Sequence, residues 1–331
     1  MSKALWCLYD NDIPEEFFLF LNSPSMKRIQ GCGMHCGMEY TSFPFYKDFK
    51  PYSRFDHSLG VALILYHFTK DLKVSLSGLF HDIATPAFAH VIDFLKGDHE
   101  KQEATEERTR SILENDPQIV EGLAKLGLTI EDVYDYHHYP LADNDSPRLS
   151  SDRLEYTLNN FLNYSFASFE EIRSFYSDLT ITTNEEGKEE MAFKHPDIAS
   201  HFALLTLKNS RVYVADEDRY GMEYLARLLK RAIERGVLQE DDLYTTEKEV
   251  IEKLEKDPQG KEDFASFKAL KKVKVVDRIE DENCYPVSSK KRYINPLVKG
   301  KGRISALVPE VKEAMDQFLN EDFTKILTKA E

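Results

Sequence analysis

Arg54-Phe55-Asp56-His57-Ser58-Leu59-Gly60-Val61 and Gly78-Leu79-Phe80-His81-Asp82-Ile83 are the two stretches on which the reading of this chain turns. His57 stands at the start of an apolar, helix-forming run. His81 and Asp82 are adjacent and directly follow an apolar stretch that should be buried. Neighbouring residues on a helix point about 100° apart, so both side chains can reach one ion near the axis. A buried aspartate is costly unless it is paired or coordinates a metal. A further acid, Asp152 in Ser151-Asp152-Arg153-Leu154-Glu155-Tyr156, opens another helical run. Together His57, His81, Asp82 and Asp152 form an N₂O₂ donor set that suits one divalent Mn, Fe, Ni, Zn or Mg ion better than a soft, thiolate-seeking ion. Spacing alone leaves other readings open: His57 or Asp152 as a helix cap, and His81 as a satisfied core histidine.

Outward from these stretches the apolar spacing is mostly helical. Residues 55–70, 100–115, 117–127, 148–163, 198–235 and 308–327 each repeat apolar side chains three or four apart. Pro14 opens a further run with Glu15 and Glu16 in its first turn, as a helix start prefers. Leu179 to Thr183 and Glu189 to Phe193 flank a turn containing Gly187 and predict a β-hairpin. Lys272 to Ile279 and Tyr285 to Val298 hold further short β-rich runs. The expected architecture is mainly α: residues 1–240 form a helical core with a hairpin insertion near 179–193, and residues 241–331 a small α+β appendage packed on it.

The chain has 331 residues, 42% hydrophobic and 31% charged, enough for a sizeable core and unlike a disordered protein. Its longest charge-free apolar stretch, Leu59 to Phe68, is too short to span a bilayer, which takes about 20 residues. Asp10 interrupts the N-terminal region before a signal-peptide core can form, so a cytoplasmic location is expected. A net charge of −15 argues against general nucleic-acid binding, which relies on neutralising phosphates. The charge is uneven: residues 266–303 hold eleven Lys/Arg against four Asp/Glu. That basic segment suits a phosphate ligand, an acidic neighbouring subunit or a solvated surface. Cys32 and Cys36 bracket His35 in Gly-Cys-Gly-Met-His-Cys, a pattern that fits a metal knuckle or a glycine-rich loop; no second ligand pair at matching spacing accompanies it. Tyr136-His137-His138-Tyr139 offers one more ligand candidate, or a loop before Pro140.

The motifs around His57, His81-Asp82 and Asp152 strongly resemble those of the HD-domain metal-dependent phosphohydrolases, most closely the deoxynucleoside triphosphate triphosphohydrolase (dGTPase-like) branch. The resemblance covers roughly residues 24–240 and, more loosely, Ser289-Lys290-Lys291-Arg292-Tyr293-Ile294-Asn295-Pro296. It implies an HD-type helical bundle and a divalent metal held by His57, His81, Asp82 and Asp152. Acid–base work at the scissile phosphate falls to His90, Asp93 and His99; the i, i+3 spacing of His90 and Asp93 lets the carboxylate orient the imidazole on a helix. His99 and Glu100 also suit a solvated helix start. Arg54 would clamp phosphate, Tyr156 would lie near the sugar, and Arg211 with Tyr213 would match a phosphate-contacting helix. A homo-oligomer is implied as well.

The chain departs from the pattern of that branch. Ala84-Thr85 stands where Gly-His is common, and Asn159-Asn160 where an Arg-Asp pair continues the helix. The sugar-reading Gln aligns with either Gln30 or Gly31. The metal set is thus expected to be intact and the nucleotide pocket altered. The expected partner is a small phosphorylated substrate, best assigned as a deoxynucleoside triphosphate. The alternatives are a nucleotidase or phosphodiesterase with the same metal, or a metal-bound nucleotide sensor without turnover.

Overall fold

The computed structural model describes residues 2–92, 108–288 and 290–330. Helix α1 (Ser2–Tyr9) and α2 (Pro24–Ile29) precede a central helical hairpin, α3 (Arg54–Thr69) and α4 (Leu72–Phe80). Ser53 caps α3 through Asp56 N, and the Asp56 carboxylate returns the bond to Ser53 N at 2.9 Å. Lys70, in the left-handed region at φ 51°, and Asp71, whose side chain accepts from Lys73 and Val74, turn the chain into α4. Gly78 lets the two helices close up, because a Cβ there would lie 2.5 Å from Leu65 Cδ1. An antiparallel hairpin returns the end of its second helix to the start of its first. His81, just past α4, is thereby placed beside His57 in the first turns of α3.

Next come α5 (Thr109–Glu114), α6 (Pro117–Lys125), α7 (Ser151–Asn163) and α8 (Phe169–Asp178). Strands β1 (Leu179–Thr183) and β2 (Glu189–Phe193) form the expected hairpin, with Gly187 at φ 77° in its turn. The long run expected over 198–235 is two helices, α9 (Pro196–Tyr213) and α10 (Asp216–Glu234). Ala215 is extended, and the three acids Asp216, Glu217 and Asp218 fill the first turn of a new helix, where the dipole favours them.

Beyond 240 lie α11 (Glu247–Lys256), α12 (Pro258–Lys268), β3 (Val273–Val276), β4 (Tyr285–Val287), β5 (Leu297–Val298), β6 (Gly302–Arg303), α13 (Ile304–Leu307), α14 (Pro309–Asn320) and β7 (Lys325–Lys329). The helix expected to run to 327 stops at Asn320. β7 lies between β3 and β4 with fully buried Leu327, so sheet pairing prevails over the helical spacing. β5 adds in parallel to β2 and extends the hairpin to a four-stranded sheet with β6. Buried Glu190 receives Arg303 Nη2 at 2.8 Å and Leu149 N at 3.3 Å, tying this sheet to the start of α7. Two apolar clusters result. One joins α1, α3, α4, α7, α9 and α14, and the other packs α10 to α12 and the β3-β7-β4 sheet around Met38, Phe43 and Phe88.

A pair of carboxylates sits where α11 meets the loop before α3. Glu247, 3% exposed, accepts from Gly33 N at 2.8 Å and Tyr40 OH at 2.8 Å. Glu39 lies beside it, with Oε1 only 2.2 Å from where a Cβ on residue 33 would stand, so a side chain there would have to displace that carboxylate. Burial, then repulsion from Glu247, pushes the Glu39 carboxyl up from 4.5 to about 8, and Arg54 only partly opposes this. An acid raised on folding contributes full stability below about pH 4.5 and loses that contribution as pH rises to about 8. Glu39→Gln should therefore raise stability at pH 7 to 8 and flatten its fall across that window. Urea melts at pH 5, 7 and 9 check this; an unchanged slope in the variant would contradict it.

Candidate metal centre

Three elements converge at the open end of the α3–α4 hairpin. His57 Nε2 stands 3.2 Å from His81 Nε2 and 3.0 Å from Asp152 Oδ1. Asp152 is 3.8 Å from His81 Nε2. Among the described residues, His57, His81 and Asp152 are the group of three or more whose donor atoms meet closely enough to hold a metal ion. Neither His57 nor Asp152 is a cap. Ser53 caps α3 and Ser150 caps α7, so both side chains are free to point inward.

Asp82 joins the set by one oxygen, with Oδ2 3.9 Å from His57 Nε2 and 3.7 Å from His81 Nε2. The same oxygen accepts from Arg54 Nη1 at 2.8 Å, and Oδ1 accepts from Thr85 Oγ1 at 2.8 Å. Burial would raise the Asp82 pKa, but Arg54, His81 and His57 together hold it far below the usual carboxylate range. Asp152 is likewise held low by His57 against the cost of burial. Both are carboxylates at neutral pH.

The second nitrogen of each histidine shows which face is a ligand. His81 Nδ1 lies 2.7 Å from the Gly78 carbonyl oxygen, which can only accept, so Nδ1 carries a proton. His57 Nδ1 lies 2.6 Å from Glu155 Oε2. With both Nδ1 atoms donating, the neutral rings aim their Nε2 lone pairs at each other across 3.2 Å. That contact is repulsive unless a cation lies between them. Two nitrogens bound to one ion at about 2.1 Å stand roughly 3.0–3.4 Å apart, so the donors fit a divalent metal. Without one, a proton takes its place: burial opposes the His57 cation, but Asp152 and Glu155 push its pKa up to about 10.

Glu155, quoted in the Asp152 motif above without a role, lies directly behind His57. It is fully buried, three residues after Asp152 on α7, and also receives Asn159 Nδ2 at 2.6 Å and the Tyr52 hydroxyl. Gly60 on α3 makes room for it, since a Cβ there would lie 2.6 Å from Glu155 Oε1. A carboxylate behind a metal-binding imidazole fixes its tautomer and raises its basicity. The i, i+3 spacing from Asp152 was the available signal.

The other candidates divide. Arg54 is buried on Asp82, and its buried Nε has no partner among the described residues. Tyr156 lies 6.4 Å from the His57 ring and 6.4 Å from the Tyr213 ring. Arg211 turns away to pair with Glu321 at 2.9 Å and lies over the Phe318 ring, so it is Tyr213 that α9 brings to Tyr156. His90 is half-buried near the end of the segment described through residue 92, and Asp93 and His99 lie outside the described residues. Cys32 and Cys36 are buried thiols pushed up by burial to about 11 and about 12; Cys32 Sγ faces the carbonyls of Arg28 and Thr245. They form no metal group among the described residues, and the Gly-Cys-Gly-Met-His-Cys segment is a packed loop. His137 and His138 pair with Asp143 and Asp135 at the surface.

Residues 54–157 match the model of the HD domain family. This chain carries an HD domain. The domain begins with Arg54, the first residue of α3, and ends just after Tyr156, so it encloses every donor described above. The chain is 26% identical over 201 residues to the uncharacterized protein YdhJ of Bacillus subtilis, covering 60% of each chain. It is 26% identical over 180 residues to the metal-dependent phosphohydrolase cns2 of Cordyceps militaris, covering 52% of this chain and 48% of that one. The matched part thus spans about half to three-fifths of these curated relatives. Two solved structures share the fold over nearly the whole chain. A hypothetical protein from Aquifex aeolicus superposes with a TM-score of 0.66 at 17% identity, covering 96% of this chain and 93% of that one. A phosphohydrolase from Bacteroides thetaiotaomicron superposes with a TM-score of 0.63 at 13% identity, covering 97% of each. No helix among the described residues is long and apolar enough to cross a membrane.

Glu155→Gln keeps the shape of the side chain but removes the charge behind His57. Its Mn²⁺ affinity should fall about 10- to 100-fold, as loss of such a partner does at other histidine sites. Isothermal titration calorimetry reads this directly, and an unchanged affinity would show that Glu155 does not support the ligand.

Proposed function

We propose that this chain is a metal-dependent phosphohydrolase acting on a small phosphate ester, with a deoxynucleoside triphosphate as the best single substrate assignment. The observation that carries the reading is the pair of facing imidazole nitrogens flanked by Asp152 and Asp82 inside an HD domain. The name of the Cordyceps relative and that of the Bacteroides structure support the same reaction class.

His57, His81, Asp82 and Asp152 would hold one divalent ion, which supplies Lewis-acid stabilisation of phosphoryl oxygen and a lowered pKa for water. The remaining steps belong to the protein. Arg54 is locked by Asp82 through Nη1, which fixes its guanidinium beside the metal donors. A fixed guanidinium of this kind neutralises charge developing on the equatorial oxygens without reorganising. Glu155 holds the His57 proton at Nδ1 and keeps Nε2 a ligand. His90, oriented by Asp93, would move the proton at the leaving oxygen, with His99 assisting; an imidazole suits that task near neutral pH. Tyr156 and Asn160, one and two turns beyond Asp152 on α7, would line the organic part of the substrate. The resemblance extends the proposal to a homo-oligomer in the cytoplasm.

The test uses the purified protein with pooled ribo- and deoxyribonucleotides and Mn²⁺, followed by phosphorus NMR. Inorganic triphosphate released from deoxynucleotides is the expected product. Orthophosphate or pyrophosphate would keep the metal mechanism and move the cut, making the protein a nucleotidase. Asp82→Ala should lower the rate by at least about 100-fold, because it removes a ligand and frees Arg54 from its partner. Full activity in that variant would overturn the mechanism.

A further inference from the structure

Arg28, near the end of α2, reaches across to the stretch of chain that carries Asp82. Its Nη2 donates to the Ile83 carbonyl at 2.6 Å and its Nη1 to the Thr85 carbonyl at 2.8 Å. Nη1 also donates to the Thr245 carbonyl at 3.4 Å, just before α11. One planar fork clamps two alternate carbonyls beyond Asp82 and joins them to the C-terminal part of the chain. A guanidinium suits this task, because its donors are fixed relative to one another.

The backbone held in this way decides where Asp82 points. Thr85 N donates to the Asp82 carbonyl at 3.0 Å and closes a turn. Thr85 Oγ1 donates to Asp82 Oδ1 at 2.8 Å, which leaves Oδ2 for Arg54 and the two histidines. The chain then takes a shape that side chains rarely adopt: Phe88 and Ala89, both fully buried, lie in the left-handed region at φ 63° and 47°. Such geometry persists only where the surroundings over-determine it. Ala87 N donates to the Leu243 carbonyl at 2.7 Å, and the Phe88 ring packs edge-on against Tyr40, whose hydroxyl donates to Glu247 at 2.8 Å. His90 follows directly. The segment from Asp82 to His90 is held in place by Arg28 and by residues 243–247, which contribute none of the candidate ligands.

We propose that Arg28 is a positioning residue of the metal centre: by holding the Ile83 and Thr85 carbonyls against the loop before α11, it fixes the turn that presents Asp82 to the ion. The proposal rests on the metal-centre reading above and extends it to a residue outside the HD domain. It also gives the C-terminal part of the chain a role in that centre, as the surface against which the Asp82 turn is set. Arg28 touches the backbone behind the ligand, so its loss acts on ion binding and on the chemical step more than on the hold on substrate.

A double-mutant cycle on the full-length protein, read by Mn²⁺ titration calorimetry, tests this. Arg28→Gln removes the fork, and Thr85→Val removes the hydroxyl on Asp82 while keeping its shape. Arg28→Gln should weaken Mn²⁺ binding about 10- to 100-fold, the range for losing a group that supports a ligand. Thr85→Val should weaken it as well. Because both act through Asp82, the double variant should lose less than the product of the two single losses. At saturating Mn²⁺, with a deoxynucleoside triphosphate, kcat of Arg28→Gln should fall by a larger factor than KM rises. Unchanged Mn²⁺ affinity with the loss confined to the melting temperature, or single losses that simply multiply, would overturn the proposal. Should Arg28→Gln fail to fold, Arg28→Lys, which keeps the charge without the fork, carries the same cycle. If the wild type binds Mn²⁺ but cleaves no phosphate ester, the phosphohydrolase reading fails on its own and the cycle still decides the role of Arg28. A wild type that binds no Mn²⁺ overturns the metal centre and this proposal with it.

Discussion

Two imidazole nitrogens held 3.2 Å apart, each with its far nitrogen committed to a buried acceptor, are the constraint on which the rest of this structure depends. Lone pairs facing each other at that distance call for a cation, met by a bound metal ion or, without one, by the proton on His57. Every neighbouring feature serves that geometry. Gly78 brings α3 and α4 together, Gly60 admits the Glu155 carboxylate, and Ser53 and Ser150 take the capping duty that would otherwise draw in His57 or Asp152.

The centre also balances its charge without relying on solvent. Asp82, Asp152 and Glu155 would be costly in a buried site on their own. Arg54 offsets Asp82, and the His57 proton or a divalent ion offsets the other two. This explains why Arg54 is bound to a metal-ligand candidate rather than to solvent. The sheet formed by β1, β2, β5 and β6 contributes at a distance. Through Glu190 it fixes Leu149, and so the point where α7 begins and Asp152 is aimed.

Much of this was legible in the sequence because it depends on local order. The apolar runs that predict α3 and α7 carry their histidine and acids at fixed helical positions, and the hairpin at 179–193 is set by its own turn. What was not legible depends on tertiary packing. The role of Glu155 follows from tertiary packing, where α3 is laid against it with a glycine at the contact. The strand at Lys325–Lys329 has helical spacing, and it becomes a strand because β3 and β4 supply partners on both sides. Arg211 has a family-like setting, yet Glu321 and Phe318 of the C-terminal part draw it outward.

The most direct measurement is the anomalous scattering of Mn²⁺ in a crystal of the protein. One peak, about 2.0–2.3 Å from His57 Nε2, His81 Nε2 and an oxygen of Asp152, is the predicted result. A peak at Cys32 and His35, or no peak while the two Nε2 atoms remain 3.2 Å apart, would show that a proton rather than a metal holds the centre together.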